Sequence, residues 1–110
     1  MAEKIKLVQG DTRPALVITL TDDNTGNPIT LTGASAVLRF RSVGGSTVLT
    51  TLNGTVTDAV NGVVAFYWAS VPTSLNVEAG DYEGEIEITF ADGQIQTVYD
   101  LLKFKVREDF

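Results

Sequence analysis

The chain has no cysteine and no histidine among its 110 residues. Without cysteine there is no disulfide, no thiolate nucleophile and no thiolate metal site; without histidine the usual general base and the commonest metal ligand are gone. A Ser-His-Asp arrangement is therefore excluded, and a Ser-Lys variant has no motif to locate it. Positive charge is scarce as well. Eight Lys and Arg stand against fourteen Asp and Glu, a net charge of −6, and the cations are scattered along the chain. Such a balance repels a phosphate backbone, so no nucleic-acid partner is expected. "VGGSTV" lacks the lysine and following helix of a phosphate-binding loop. No catalytic residue, no cofactor and no metal site is expected. No stretch reaches the roughly 18 apolar residues of a membrane span. The opening "MAEKIKLVQGDTRPALVITL" is interrupted by Gln9, Gly10, Asp11 and Arg13 before it can form the apolar run of a signal peptide. The reading is a protein made and folded in a reducing cytoplasm, with no secretion signal and no membrane partner.

What is present is ordinary globular composition, 44% hydrophobic and 20% charged, in a length suited to a single domain over 1–110. Period-two alternation dominates. In "ALVITLT" Leu16, Ile18 and Leu20 share a face; in "SAVLRFR" Ala36, Leu38 and Phe40 point inward and Arg39 and Arg41 outward. "GVVAFYW" is read with Val64, Phe66 and Trp68 toward the core. Turn chemistry punctuates these runs at Asn24 to Pro28, Gly44-Gly45, Asn53-Gly54, Asn61-Gly62 and Asp92-Gly93. Residues 69–80, "ASVPTSLNVEAG", break the alternation and are long enough to cross between sheets with one helical turn. Two long strands follow, about Gly80 to Phe90 and Gln94 to Val106, the second with a bulge or bend near Asp100-Leu101 where the apolar parity changes. The expected fold is all-β: an immunoglobulin-like antiparallel β-sandwich of about seven or eight strands with a Greek-key crossover near 69–80.

Three stretches bear on chemistry. Glu83, Glu85 and Glu87 alternate on one strand, roughly 6.5–7 Å apart, a gap that carboxylate pairs of some glycosidases also span. A catalytic pair needs one carboxyl with a raised pKa, whereas these three lie opposite Tyr82, Ile86, Ile88 and Phe90, on the face a half-buried sheet turns to water. They are read as solvated, partly balanced by Lys103, Lys105, Arg39 or Arg41. "TDDNTGNP" at 21–28 lacks the spacing of a calcium-binding EF-hand loop and is read as a hairpin loop. Asn53-Gly54-Thr55 matches a glycosylation sequon and is read as a tight turn. Tyr82, in Glu78-x-Gly80-x-Tyr82, fits both a plain core tyrosine and the tyrosine corner of immunoglobulin-like sandwiches. Gly84 falls where such domains place their second cysteine.

Taken together, "QGDTRPALVITLTDDNTGNPITLTGASAVLRFR", "NGVVAFYW", "AGDYEGEIEITFADGQIQTV" and "KFKV" resemble the immunoglobulin-like N-terminal domain of tailed-bacteriophage baseplate upper proteins, over about residues 5 to 107. The most specific pieces are Gln9-Gly10-Asp11-Thr12, Leu31-Thr32-Gly33-Ala34 and Ala79-Gly80-x-Tyr82. The resemblance implies a virion component of the tail, baseplate or receptor-binding apparatus, assembled in the host cytoplasm. It would pack against other phage structural proteins, carry no catalytic residues, and form a homo-oligomer, trimeric or hexameric. A head or neck decoration or adaptor subunit is the related alternative, because in that family the domain precedes further segments and this chain stops at Phe110. The candidate contact surface is Tyr67, Trp68 and Phe110, together with the N-terminal segment through Thr12, whose residues 1–4 would be a flexible arm. A small carbohydrate- or receptor-binding module, stacking sugars on Trp68 and Tyr67, is the rival from another class.

Overall fold

Alternating side chains become a sandwich when two sheets bring their apolar parities together and leave the other parity outside. The computed structural model describes residues 4–13, 15–22, 24–98 and 101–109. Among these are nine strands: β1 (Ile5–Val8), β2 (Leu16–Thr19), β3 (Ser35–Ser42), β4 (Thr50–Asn53), β5 (Thr55–Asp58), β6 (Val63–Phe66), β7 (Gly80–Thr89), β8 (Ile95–Thr97) and β9 (Leu102–Arg107). One 3₁₀ turn spans Trp68–Ser70. The larger sheet runs β1-β9-β7-β3-β4 with β8 also on β7, and the smaller runs β2-β6-β5. This is the strand assortment of an immunoglobulin-type sandwich. Inward parities match expectation: Leu20, Ala36, Leu38, Phe40, Val64, Phe66, Trp68, Tyr82, Ile86 and Ile88 are all core residues.

The sheet is not purely antiparallel. β1 pairs with β9 in parallel, Ile5 opposite Phe104 through Val8 opposite Arg107. The N-terminal segment expected as a contact surface is thereby an edge strand over Ile5–Val8; residues 1–3 of the expected arm lie outside the described residues. Beyond it, the Gly10 amide donates to the Leu75 carbonyl at 2.9 Å and Gln9 Nε2 to the Val77 carbonyl at 2.8 Å. Lys4 pairs with Asp81 at 2.9 Å.

Asn53-Gly54 is not a hairpin turn. β4 ends there in the large sheet and β5 begins in the small one. The physical reason is room, not positive φ. A Cβ on Gly54 would sit 2.6 Å from Val64 Cγ2, 2.9 Å from Phe66 Cε1 and 3.1 Å from the Ala36 carbonyl, so only glycine lets the backbone pass so close to the facing sheet. The Gly54 amide donates to that same carbonyl at 2.8 Å.

β8 and β9 occupy successive stretches of one edge of β7: Glu87 faces Thr97, and Gly84 faces Leu102. Between Thr97 and Leu102 the register against β7 shifts by two residues, from Glu87 opposite Thr97 to Gly84 opposite Leu102, an irregularity in the stretch where a bulge or bend is expected; Tyr99 and Asp100 lie outside the described residues. Because two residues are extra, the side-chain parity carries straight through. Ile95 and Thr97 consequently point outward with Lys103 and Lys105, and Ile95 is 64% exposed instead of belonging to the core. The crossover from β6 to β7 does contain the expected helical turn.

Four aromatic rings tie the interior together. Phe40 stacks on Tyr82 at 5.0 Å, while Trp68 and Phe104 meet Phe40 edge-on at 5.4 Å each and one another at 5.8 Å. Gly84 makes the space: a Cβ there would lie 2.8 Å from Leu38 Cδ1 and 2.9 Å from Phe104 Cε2. Where related sandwiches place a cysteine, this one uses the vacancy to admit a ring. Edge-to-face packing of this kind adds about 0.5–1.5 kcal/mol per pair beyond area burial.

Candidate interaction surface

The outward face of the large sheet is an ionic lattice built by cross-strand register. β3 contributes Arg39 and Arg41, β7 contributes Glu83, Glu85 and Glu87, and β9 contributes Lys103 and Lys105. Arg41 stands directly opposite Glu83, and Lys103 opposite Glu83 from the other side. Arg41 donates to Glu83 Oε2 through Nε at 2.9 Å and Nη2 at 2.6 Å, and Lys103 Nζ lies 4.0 Å from Oε1. Arg39 reaches diagonally to Glu87 at 3.2 Å. Among the described residues Glu85 makes no ion pair.

The three glutamates are therefore outward and partly charge-balanced, as expected, Glu83 and Glu87 by ion pairs, but they are not all solvated. Glu83 is only 6% exposed and the other two are half-buried. Alternation decides which face a residue takes; it does not decide what lies over that face. Here β7 is central in its sheet, and the stems of Arg41 and Lys103 from both neighbours close over Glu83. The recess beside it, lined by Arg39, Arg41, Val48, Glu83, Gly84, Glu85 and Leu101, measures about 40 Å³. That is room for a water molecule, against the roughly 300–1,000 Å³ of typical ligand pockets.

Tyr82 resolves to the tyrosine corner. Its Oη donates to the Glu78 carbonyl, four residues upstream, at 2.6 Å. Burial, with the nearby Glu78 charge second, raises its hydroxyl pKa above the ordinary value.

The proposed contact residues separate. Trp68 is 0% exposed and is no surface residue: the crossover turn that begins at it rotates the indole into the aromatic cluster. Among the described residues its Nε1 finds no hydrogen-bond partner. A sugar-stacking platform of Trp68 with Tyr67 is thus not formed. Tyr67, of opposite parity, is 43% exposed and borders an open hollow of about 500 Å³ with Thr12, Arg13, Ala15 and Ala69. Phe110 lies outside the described residues. Two exposed apolar features were not singled out from sequence: the β3–β4 hairpin, with Val43, Val48 and Leu49, and Val17 on β2. The polar loop at 21–28 lines a groove of about 340 Å³ with β8, through Asp22, Asn24, Ile29, Gln96 and Val98 among others. Among the described residues no group of three or more metal-ligating side chains converges, and no helix is long and apolar enough to cross a membrane.

No protein-family model matches the chain, and no curated protein matches it. The class established by topology and by the Tyr82 corner is the immunoglobulin-type β-sandwich.

Proposed function

We propose that the chain is a non-enzymatic structural module of a tailed-phage particle, in the tail, baseplate or receptor-binding apparatus, acting by packing against other structural proteins and against copies of itself. The observation that carries this reading is the division of its surface. Across the centre of the broad sheet Arg39, Arg41 and Lys103 are paired with Glu83 and Glu87, while uncharged side chains, Val17, Val43, Val48, Leu49, Val60, Tyr67 and Ile95, are left outward at loops and edges. Uncharged rims beside a self-neutralised face suit subunit packing. The resemblance in residues 5 to 107 supplies the particle. A decoration or adaptor subunit of the head or neck uses the same surfaces and is the nearest variant of the reading.

The test is particle composition. Mass spectrometry of purified virions from the source genome is expected to find the chain at fixed stoichiometry to the tail proteins, and immunogold against the folded domain is expected to label the tail end. Absence from purified particles overturns the reading. Label on the head or neck with none on the tail moves it to the decoration variant.

A further inference from the structure

Sheet edges are where a β-protein is open to another chain, and native edges carry guards. β1 has Lys6 pointing from it. β5 ends in Asp58 and breaks register between Val56 and Asp58. β4 leaves its sheet at Gly54. β2 has no guard: its residues are LVIT, without charge, glycine or proline. Its hydrogen bonding continues past Thr19, for the Leu20 amide donates to the Gly62 carbonyl at 2.8 Å. That bond settles which backbone groups are taken. Leu16, Ile18 and Leu20 turn theirs toward β6, so Val17, Thr19 and Thr21 turn N–H and C=O outward, since these groups alternate along a strand. The loop after β2 folds back on the β6 side, Ile29 donating to the Leu20 carbonyl at 2.9 Å, and among the described residues nothing bonds to the outward groups of Val17 and Thr19. Val17 is 63% exposed, and Leu16 and Ile18 are half-buried at the lip between the sheets.

We infer that β2 is a self-association edge, pairing antiparallel with β2 of a second copy about a twofold axis through Ile18. The occupant follows from three features. First, the outward groups meet in register: Val17 of each copy faces Thr19 of the other, giving about four backbone hydrogen bonds, two for each such pair. Second, Ile18 meets Ile18 at a close-spaced position, covering apolar surface that the monomer leaves at its lip. Third, the charges complement. Arg13, exposed and without an ion pair among the described residues, precedes the strand, and Asp22 follows it. Antiparallel pairing about Ile18 brings Arg13 of each copy to the end of the strand pair at which the partner's Asp22 stands, within reach of a long side chain though not directly opposite in register. The interface makes one continuous sheet from two three-stranded ones and closes by isologous symmetry. So short a strand pair lies at the small end of interface sizes, and its dissociation constant is expected on the order of 100 μM. The inference rests on the self-packing part of the proposed function and names its surface, but the two fail separately: a dimer in solution does not require incorporation into particles, nor the reverse.

The test uses the intact chain. Sedimentation velocity from about 10 μM to about 1 mM is expected to show a monomer giving way to a dimer. Amide exchange over the same range is expected to slow at Val17 and Thr19, while Ile18, already bonded to β6, is unchanged. Thr19→Pro removes an outward N–H that β6 does not use and is expected to leave a monomer. Should that variant misfold, the charge pair keeps the inference exposed. Arg13→Asp is expected to weaken the dimer about tenfold, Asp22→Arg likewise, and the double swap to restore it. A monomer at 1 mM overturns the inference. So does a dimer indifferent to the charge swap, or one whose protection appears at Val43, Val48 and Leu49 in place of Val17 and Thr19.

Discussion

The two sheets finish their outer faces by opposite means. The large sheet lays arginine, glutamate and lysine rows side by side across β3, β7 and β9, so register sets Arg41 and Lys103 on either side of Glu83, Arg39 opposite Glu85 and Lys105 opposite Asp81. The small sheet has neither Lys nor Arg in β2, β5 or β6, and a single acid, Asp58. A one-residue slip in the large sheet would turn the glutamates into the core and separate the ion pairs, so its pairing is specified twice over, by burial and by charge. The small sheet is specified by its inward side chains and by the tight passage at Gly54 alone. Charge therefore buttresses one half of the molecule, and the other half stays free to meet an uncharged surface.

The largest expected effect removes the link between the halves. Trp68 follows β6 of the small sheet and packs on Phe40 and Phe104 of the large one. Trp68→Ala should cost about 3–5 kcal/mol in urea unfolding. Trp68→Phe should cost much less, because it also removes the unpartnered Nε1; equal losses in the two variants would show that the indole has a partner. Next comes the lattice. Glu83→Ala strands Arg41 and Lys103 at a covered position and should cost about 1–2 kcal/mol, below the value for a fully buried pair since both cations are partly exposed. Glu85→Ala on the same strand should fall within about 0.5 kcal/mol. If the two cost the same, the lattice pins nothing. Tyr82→Phe should cost about 1 kcal/mol by loss of the bond to Glu78. Since folding raises this hydroxyl's pKa, the folded state holds its proton longer. The stability this contributes is complete below the unfolded value near 10 and falls as pH climbs through the folded value. Subtracting the phenylalanine variant's stability curve from the parent's should isolate that slope. The smallest effect is at Asp81, whose carboxyl the Lys4 hydrogen bond and charge hold below the ordinary 3.8. Its contribution is present above that value and fades as pH drops through the lowered one. In Lys4→Met, carboxyl NMR should find Asp81 titrating back near 3.8.

Much of this architecture was legible in the chain because half-buried strands write their two faces into alternate residues. Leu16-Ile18-Leu20 and Ala36-Leu38-Phe40 needed nothing more. Where reading failed, one residue type served two purposes. Glycine after asparagine marks a turn when φ must be positive, as at Gly62, but at Gly54 it marks a close approach, and only the facing strand distinguishes the two. The change of apolar parity between Ile95 and Phe104 reads as a bulge that keeps both sets inward, but the register shifts by two residues, not one, and leaves the parity unbroken. Glu83 and Glu85 are indistinguishable on paper, and the difference in cover comes from long side chains two strands apart. The outward bonding row of β2 was hidden for a similar reason: which parity of backbone groups is free depends on the neighbour, not on the strand.

The parallel pairing of the first and last strands has a mechanical consequence. β1 and β9 run the same way, so the chain enters β1 at one end of the pair and leaves β9 at the other. A pull applied between the two ends draws these strands past each other lengthwise and loads all the bonds between them together, including that from the Gln9 amide to the Arg107 carbonyl at 3.0 Å. Rupture then requires their concerted failure, not one-by-one peeling, which gives the domain resistance to tension along that axis out of proportion to its modest size.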